Sequence, residues 1–146
     1  MSEIRIKLME HLFIDLNLEE RLTFIGGDSG TGKTLFVKAL QDLVLNPDLA
    51  EIQGIGIDKF MVCLNEQQLP NILNCKNKII IIDRYDIYSK KSKEQIWNKM
   101  SNLDNTWILM TRNPDIKENY GHSSRSYKIL KTKRKNNTIK LCLEKY

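Results

Sequence analysis

Cysteine is scarce in this chain. Cys63, Cys75 and Cys142 are the only three in 146 residues. They are dispersed, odd in number and without metal-ligand spacing, which argues against a disulfide framework or a zinc-type cluster. Cys63 and Cys142 lie in apolar runs and read as small buried hydrophobes, so the expected setting is reducing and cytoplasmic. Long apolar runs are also missing. None approaches the roughly 20 residues of a membrane-spanning helix. The stretch from Met1 to Phe13 alternates charged and apolar residues and lacks the apolar core of a signal peptide. There is no internal repeat, no low-complexity segment and no linker. What remains is a single domain over residues 1–146, long enough to bury roughly two-thirds of its unfolded surface.

The charge of +5 is unevenly spread. From Arg125 onward there are eight Lys/Arg against one Glu, whereas the first 124 residues hold 15 Lys/Arg and 17 Asp/Glu. The basic residues Arg125, Lys128, Lys131, Lys133, Arg134, Lys135 and Lys140 surround a terminal hairpin. Two readings stand. One is a phosphate-contacting patch for nucleic acid over Lys128–Lys140. The other is an edge hairpin kept soluble by lysine.

Hydrophobic periodicity outlines the elements. Residues 3–18 alternate as a strand pair, and an apolar strand follows at 21–26. A helix begins at Lys33 or Thr34, carries Phe36, Val37, Leu40, Leu43 and Val44 at helical spacing, and ends at Asn46-Pro47. Residues 47–57 read as a loop. Phe60–Leu64 is a strand, and Asn65–Gln68 opens a short helix with a capping box. Ile79–Ile82 is a strand covered on both faces. Residues 92–103 suit a helix with Ile96, Trp97, Met100 and Leu103 inward, and Thr106–Met110 is a further strand. Tyr127–Thr132 and Ile139–Leu143 flank a turn at Lys135–Asn137. Trp97 and Trp107 sit in apolar patterns and belong to the core. Strands separated by helices predict an α/β fold: a mainly parallel central sheet with helices on both faces, an N-terminal strand pair and a C-terminal β-hairpin.

Residues Gly27, Asp28, Ser29, Gly30, Thr31, Gly32, Lys33 and Thr34 spell the phosphate-binding pattern G-x-x-x-x-G-K-[ST] between a strand and a helix. Glycines let backbone N–H groups close around phosphate oxygens, and the helix start adds its positive end. Lys33 is placed for the β- and γ-phosphates and Thr34 for a magnesium ion. A triphosphate site also needs a carboxylate at the end of a buried strand, near that hydroxyl. Asp83, directly after four isoleucines, fits as the second metal-supporting residue. ATP and Mg²⁺ are the expected ligands.

This set of residues, together with the Thr106–Asn113 segment, resembles a compact P-loop ATPase of the ASCE division. The paired strands before the loop are similar to the opening of ABC-type ATPase domains. The Leu-Ser-Gly-Gly-Gln signature of transporters is absent, and so is the Asn-Lys-x-Asp motif that reads guanine. In ASCE proteins a Glu commonly follows the strand-end Asp and polarises the attacking water. Here Arg84 stands in its place, and an arginine is no general base at neutral pH. Either hydrolysis is slow, or Asp86 substitutes, or Glu66 does. RecA-like proteins place a catalytic glutamate at such a strand end, next to the phosphate-loop strand. The plainer reading of Glu66 is a first-turn helix acid. Thr111-Arg112-Asn113-Pro114 resembles the end of the sensor strand of AAA-type ATPases. There Thr111 or Asn113 would meet the γ-phosphate, and Asn113 is the expected residue. Arg84 or Arg112 could bring positive charge to the phosphates.

The resemblance implies ATP and magnesium binding with weak or partner-stimulated hydrolysis, suited to a regulatory switch. A protein partner or a homo-oligomer is left open. Asp83-Arg84-Tyr85 is also similar to a string in thymidylate kinases, which would make Arg84 a binder of an acceptor phosphate and the chain a nucleotide or nucleoside kinase. Its loop has Ser29 where those kinases have Asp, and its Thr111–Pro114 element follows that string instead of preceding it.

Overall fold

A computed structural model describes residues 2–8, 11–18, 20–26, 32–46, 48, 50–54, 59–100, 104–111 and 125–145. The strands are β1 (Ser2–Leu8), β2 (Leu12–Leu18), β3 (Leu22–Gly26), β4 (Ala50–Gln53), β5 (Phe60–Cys63), β6 (Ile79–Ile82), β7 (Thr106–Met110), β8 (Arg125–Lys135) and β9 (Thr138–Lys145). The helices are α1 (Lys33–Leu45), α2 (Leu69–Ile72) and α3 (Lys90–Met100). All nine strands join one sheet in the order β4-β1-β2-β9-β8-β3-β7-β6-β5.

The sheet is mixed: among the described residues five of its eight pairings are parallel and three are antiparallel, the expected N-terminal pair and C-terminal hairpin among the latter. The β8-β3-β7-β6-β5 half is parallel throughout. The other half pairs antiparallel at β1-β2, β1-β4 and β8-β9, with one parallel pairing between β2 and β9. Short connections explain the difference. β1 and β2 are separated by three residues and β8 and β9 by two, separations that join only antiparallel neighbours, whereas parallel neighbours need a crossover. Asn136, at φ 55° in the β8-β9 turn, takes the left-handed conformation that asparagine tolerates.

Four expectations change. The segment read as a loop over 47–57 contains β4. Its four residues, Ala50-Glu51-Ile52-Gln53, alternate half-buried and exposed against β1. The terminal hairpin is not at an edge: β9 pairs with β2 and β8 with β3, and the edge strands are β4 and β5. Cys142 is half-buried, on the face opposite the core, because its cross-strand partner is exposed Lys131. The helix expected over 92–103 starts earlier, at Lys90, and Leu103 lies outside the described residues.

Two apolar clusters clamp the sheet. One gathers Phe36, Val37, Leu40 and Leu43 of α1 with Ile4, Ile14, Ile25, Ile81, Ile108 and Leu141. The other gathers Leu69, Ile72, Ile96 and Met100 of α2 and α3 with Phe24, Ile80, Ile82, Trp107 and Leu109. Helices therefore cover both faces of the parallel half. β6 is buried along its whole length, as a strand of four isoleucines between β5 and β7 should be. Among the described residues no helix is long and apolar enough to cross a membrane.

Candidate functional site

The C-terminal ends of β3, β7 and β6 lie side by side, with β7 in the middle. Ligands of open α/β sheets bind in this kind of place, outside the carboxyl ends of parallel strands. Gly27, Asp28, Ser29, Gly30 and Thr31 lie outside the described residues, and so does Asn113. The chain is described again at Gly32, whose carbonyl accepts the first turn of α1 from the Phe36 N–H at 2.9 Å. Gly32 has φ 101°, a region that L side chains rarely adopt. A Cβ there would run into Thr132 Oγ1 and come within 3.1 Å of Leu141 Cδ2. Conformation and space both demand glycine. Nothing local in the sequence announces the Gly32–Thr132 contact, because the two residues are brought together only by the β3-β8 pairing.

Lys33 and Thr34 open α1, Lys33 half-buried and Thr34 exposed. The Lys33 Nζ donates to the Thr111 carbonyl at 3.2 Å. Thr111 is fixed in turn by its own N–H, which donates to Ile25 O at 2.9 Å. It is 4% exposed, and its Oγ1 has no hydrogen-bond partner among the described residues. Of the two sensor-strand candidates, Thr111 is thus the one seen beside Lys33.

Asp83 continues β6 by one residue, its N–H donating to Cys63 O at 2.9 Å. Burial pushes its carboxyl above the ordinary aspartate range, while the Arg84 N–H and the charges of Arg84 and Lys33 act against that rise. Asp83 and Lys33 are therefore close enough to feel each other across the strand ends. Arg84 takes the left-handed conformation, φ 51° and ψ 45°, which costs an ordinary L residue roughly 1–2 kcal/mol. Its Nε and Nη2 each reach a different carboxylate oxygen of Asp86 at 3.3 Å.

Glu66 lies at the end of β5, but β5 is the edge strand, with β6 and β7 between it and β3. The expected placement beside the phosphate-loop strand is corrected. Its carboxylate accepts the Ser89 N–H. Hydrogen bonds from Ser89, through backbone and side chain, and from Ser92 hold it below the ordinary glutamate range. The capping box expected at Asn65–Gln68 is also partial. Asn65 makes no side-chain cap, while Gln68 Oε1 accepts the Leu64 N–H at 2.7 Å. Sequence reasoning gave no role to Tyr88. It is buried, with its hydroxyl 3.2 Å from Cys63 Sγ, and burial, then the Cys63 bond, raise its pKa. Burial likewise raises the Cys63 thiol.

The arrangement gathers a cation, a carboxylate and a helix start at one crevice, the groups that hold and neutralise a triphosphate. Residues 23–133 match the family model described as ATPase family associated with various cellular activities (AAA). The match runs from β3 into β8 and leaves β1, β2 and β9 outside it. No curated protein matches the chain.

Proposed function

Since the chain belongs to the ATPase family associated with various cellular activities, we propose that it binds ATP with magnesium and, alone, hydrolyses it slowly. Nucleotide binding and ATPase-type chemistry come with the family. The slow rate and the residue roles are our reading.

Lys33 would hold the β- and γ-phosphates, exchanging the Thr111 carbonyl for phosphate oxygens. The amides of Gly27–Thr34 would line the phosphates at the start of α1. The Asp83 carboxylate and the Thr34 hydroxyl are hard oxygen donors. One carboxylate and one hydroxyl suit magnesium, which completes its shell with water and substrate phosphates. The unpartnered Thr111 hydroxyl supports a ligand at this crevice. A buried hydroxyl without a partner costs about 1–3 kcal/mol, and a γ-phosphate oxygen or an ordered water would supply one. Asn113 keeps its proposed sensor role beside Thr111.

The slow rate rests on one observation: both carboxylates that could replace the missing glutamate are engaged. Asp86 is bound through both oxygens by Arg84. Glu66 holds the Ser89 amide. Each of these bonds draws on the carboxylate's charge and makes it a weaker base toward water, and a partner that displaces Arg84 or Ser89 would then speed hydrolysis. This gives the chain the character of a switch. The phosphotransferase reading likewise needs Arg84 released from Asp86 before it meets an acceptor phosphate.

Calorimetric titration with ATP in the presence of Mg²⁺ tests the binding half. Micromolar-range affinity is expected, weakened at least tenfold by Lys33→Ala. Absence of affinity in the wild-type protein would sink the proposal. An incubation with ATP and a panel of nucleosides that yields phosphorylated product would replace it with the kinase reading.

A further inference from the structure

The distal β8-β9 hairpin carries charge that the nucleotide reading does not use. Lys131, Lys133 and Lys135 occupy alternate positions of β8 and so share one face of the sheet, with Lys140 opposite Lys133. All four are exposed, and Arg134 is exposed on the other face. Like charges directly opposite each other in a ladder repel. Two carboxylates stand nearby, Glu144 at 3.5 Å from Lys133 and Asp15 at 2.9 Å from Lys140. Five cations against two carboxylates leave the tip strongly positive. As far as Ile129 the hairpin lies between β2 and β3, and Lys131, Lys133 and Lys135 continue beyond that last β3 pairing. A local rule broken without full internal compensation marks a surface kept for something outside the fold.

The occupant follows from the chemistry of the patch. Alternate strand residues lie about 6.8 Å apart, so the three lysines form a straight row of evenly spaced charge. The turn residues Lys135-Asn136-Asn137-Thr138 offer no apolar side chain to enter a lipid surface. They offer no aromatic anchor of the kind that dominates protein interfaces. A polymer with a regularly repeating negative charge fits.

Position adds a second point. β8 pairs with β3 only as far as Ile129 opposite Gly26. Beyond that, Thr132, set between Lys131 and Lys133, lies against Gly32. Gly32 is the last glycine of the phosphate-binding pattern and precedes the first residue of α1. Lys135, Lys140 and all of β9 lie beyond the residues that the family model covers.

We propose that the distal β8-β9 hairpin docks the phosphate backbone of a nucleic acid, and that its occupancy bears on the nucleotide loop through the Thr132–Gly32 contact. Docking stands independently of the nucleotide reading; the coupling rests on it.

Fluorescence anisotropy with a short labelled DNA duplex and its single strand tests both parts on the full chain. Affinity should fall about a hundredfold between 50 and 200 mM salt if about four phosphates are contacted. The triple variant Lys131→Gln/Lys133→Gln/Lys135→Gln should lose at least tenfold in affinity and flatten the salt slope by about three, one for each lysine. Its melting temperature and ATP affinity should stay those of the wild type, which separates lost charge from lost fold. ATP with Mg²⁺ should shift the oligonucleotide affinity about fivefold or more. Wild-type protein that ignores both nucleic acids at low salt would overturn docking. So would a triple variant that binds as well as wild type, or phosphatidylserine vesicles that bind more tightly than either nucleic acid. A chain that binds oligonucleotide and ATP with no shift between them would overturn the coupling alone. One that binds oligonucleotide but no ATP would overturn the nucleotide reading and leave docking intact.

Discussion

In its proposed metal-supporting role Asp83 meets two demands that oppose each other. A metal-supporting carboxylate must be ionised, yet burial at the end of β6 favours its neutral form and raises its pKa. Above that raised pKa the ionised group costs stability. The cost is removed as pH falls through the folded value toward the ordinary aspartate value near 4. Asp83→Asn should therefore raise the melting temperature at neutral pH while removing the dependence of ATP binding on magnesium. The carboxyl is only half-buried and partly screened, so the gain should not exceed about 1 kcal/mol, or about 2–4 °C for a chain of this length. Thermal melts at neutral and mildly acidic pH check it: the variant's advantage should shrink as pH falls. A variant less stable than wild type at neutral pH would mean that Asp83 is stabilising and not strained. Asp83 was legible in the sequence because four isoleucines before an acid are rare and meaningful. The left-handed backbone of Arg84, and its pair of hydrogen bonds to Asp86, were not. Both depend on how the chain turns after β6, and no local residue type signals that turn.

Helix α3 begins on a carboxylate supplied from elsewhere in the chain. Ser89 caps it in the usual way, its Oγ accepting the Ser92 N–H at 3.2 Å. The Ser89 N–H itself is taken by Glu66, 23 residues earlier. That is the part a helix's own third-position Glu plays in a capping box. Glu66 therefore ties the end of β5 to the start of α3. The bond depends on the ionised form, because Glu66 is held below its ordinary pKa. Its contribution is fully present above about 4.3 and is lost as pH falls through the lowered value. Glu66→Ala should speed amide exchange across Ser89–Lys93 several-fold at neutral pH and leave slow ATP hydrolysis within about twofold of wild type. Loss of hydrolysis with α3 unchanged would instead make Glu66 the water-polarising base. At this scale the sequence showed the strands and α1 with near-correct ends, because period and capping residues carry them. β4 escaped because its alternation is only four residues long and runs directly into Gly54. The Glu66–Ser89 tie escaped because it joins two elements whose adjacency is tertiary.

Across the molecule, β3 stands at a seam. On one side lies the parallel half that carries Asp83 and Thr111. On the other lies the hairpin whose Thr132 touches Gly32. The alternation of strands and helices in the parallel half was legible in the sequence, but its order β3-β7-β6-β5, with β5 at the edge, was not. Nor was the parallel pairing of β2 with β9, because it joins segments more than a hundred residues apart and no local pattern encodes it. That pairing puts the basic hairpin at the nucleotide loop instead of at an edge. In the function proposed, this seam holds ATP while Asp86 and Glu66 are held by Arg84 and Ser89 and are weak bases toward water. Single-turnover hydrolysis, with the isolated chain in excess over ATP and Mg²⁺, tests it most directly. The account predicts that ATP is bound and stays largely intact, turning over below about 0.1 per second, far under the roughly 10 per second typical of enzymes. ATP that is bound and cleaved at about 10 per second by the chain alone would contradict it.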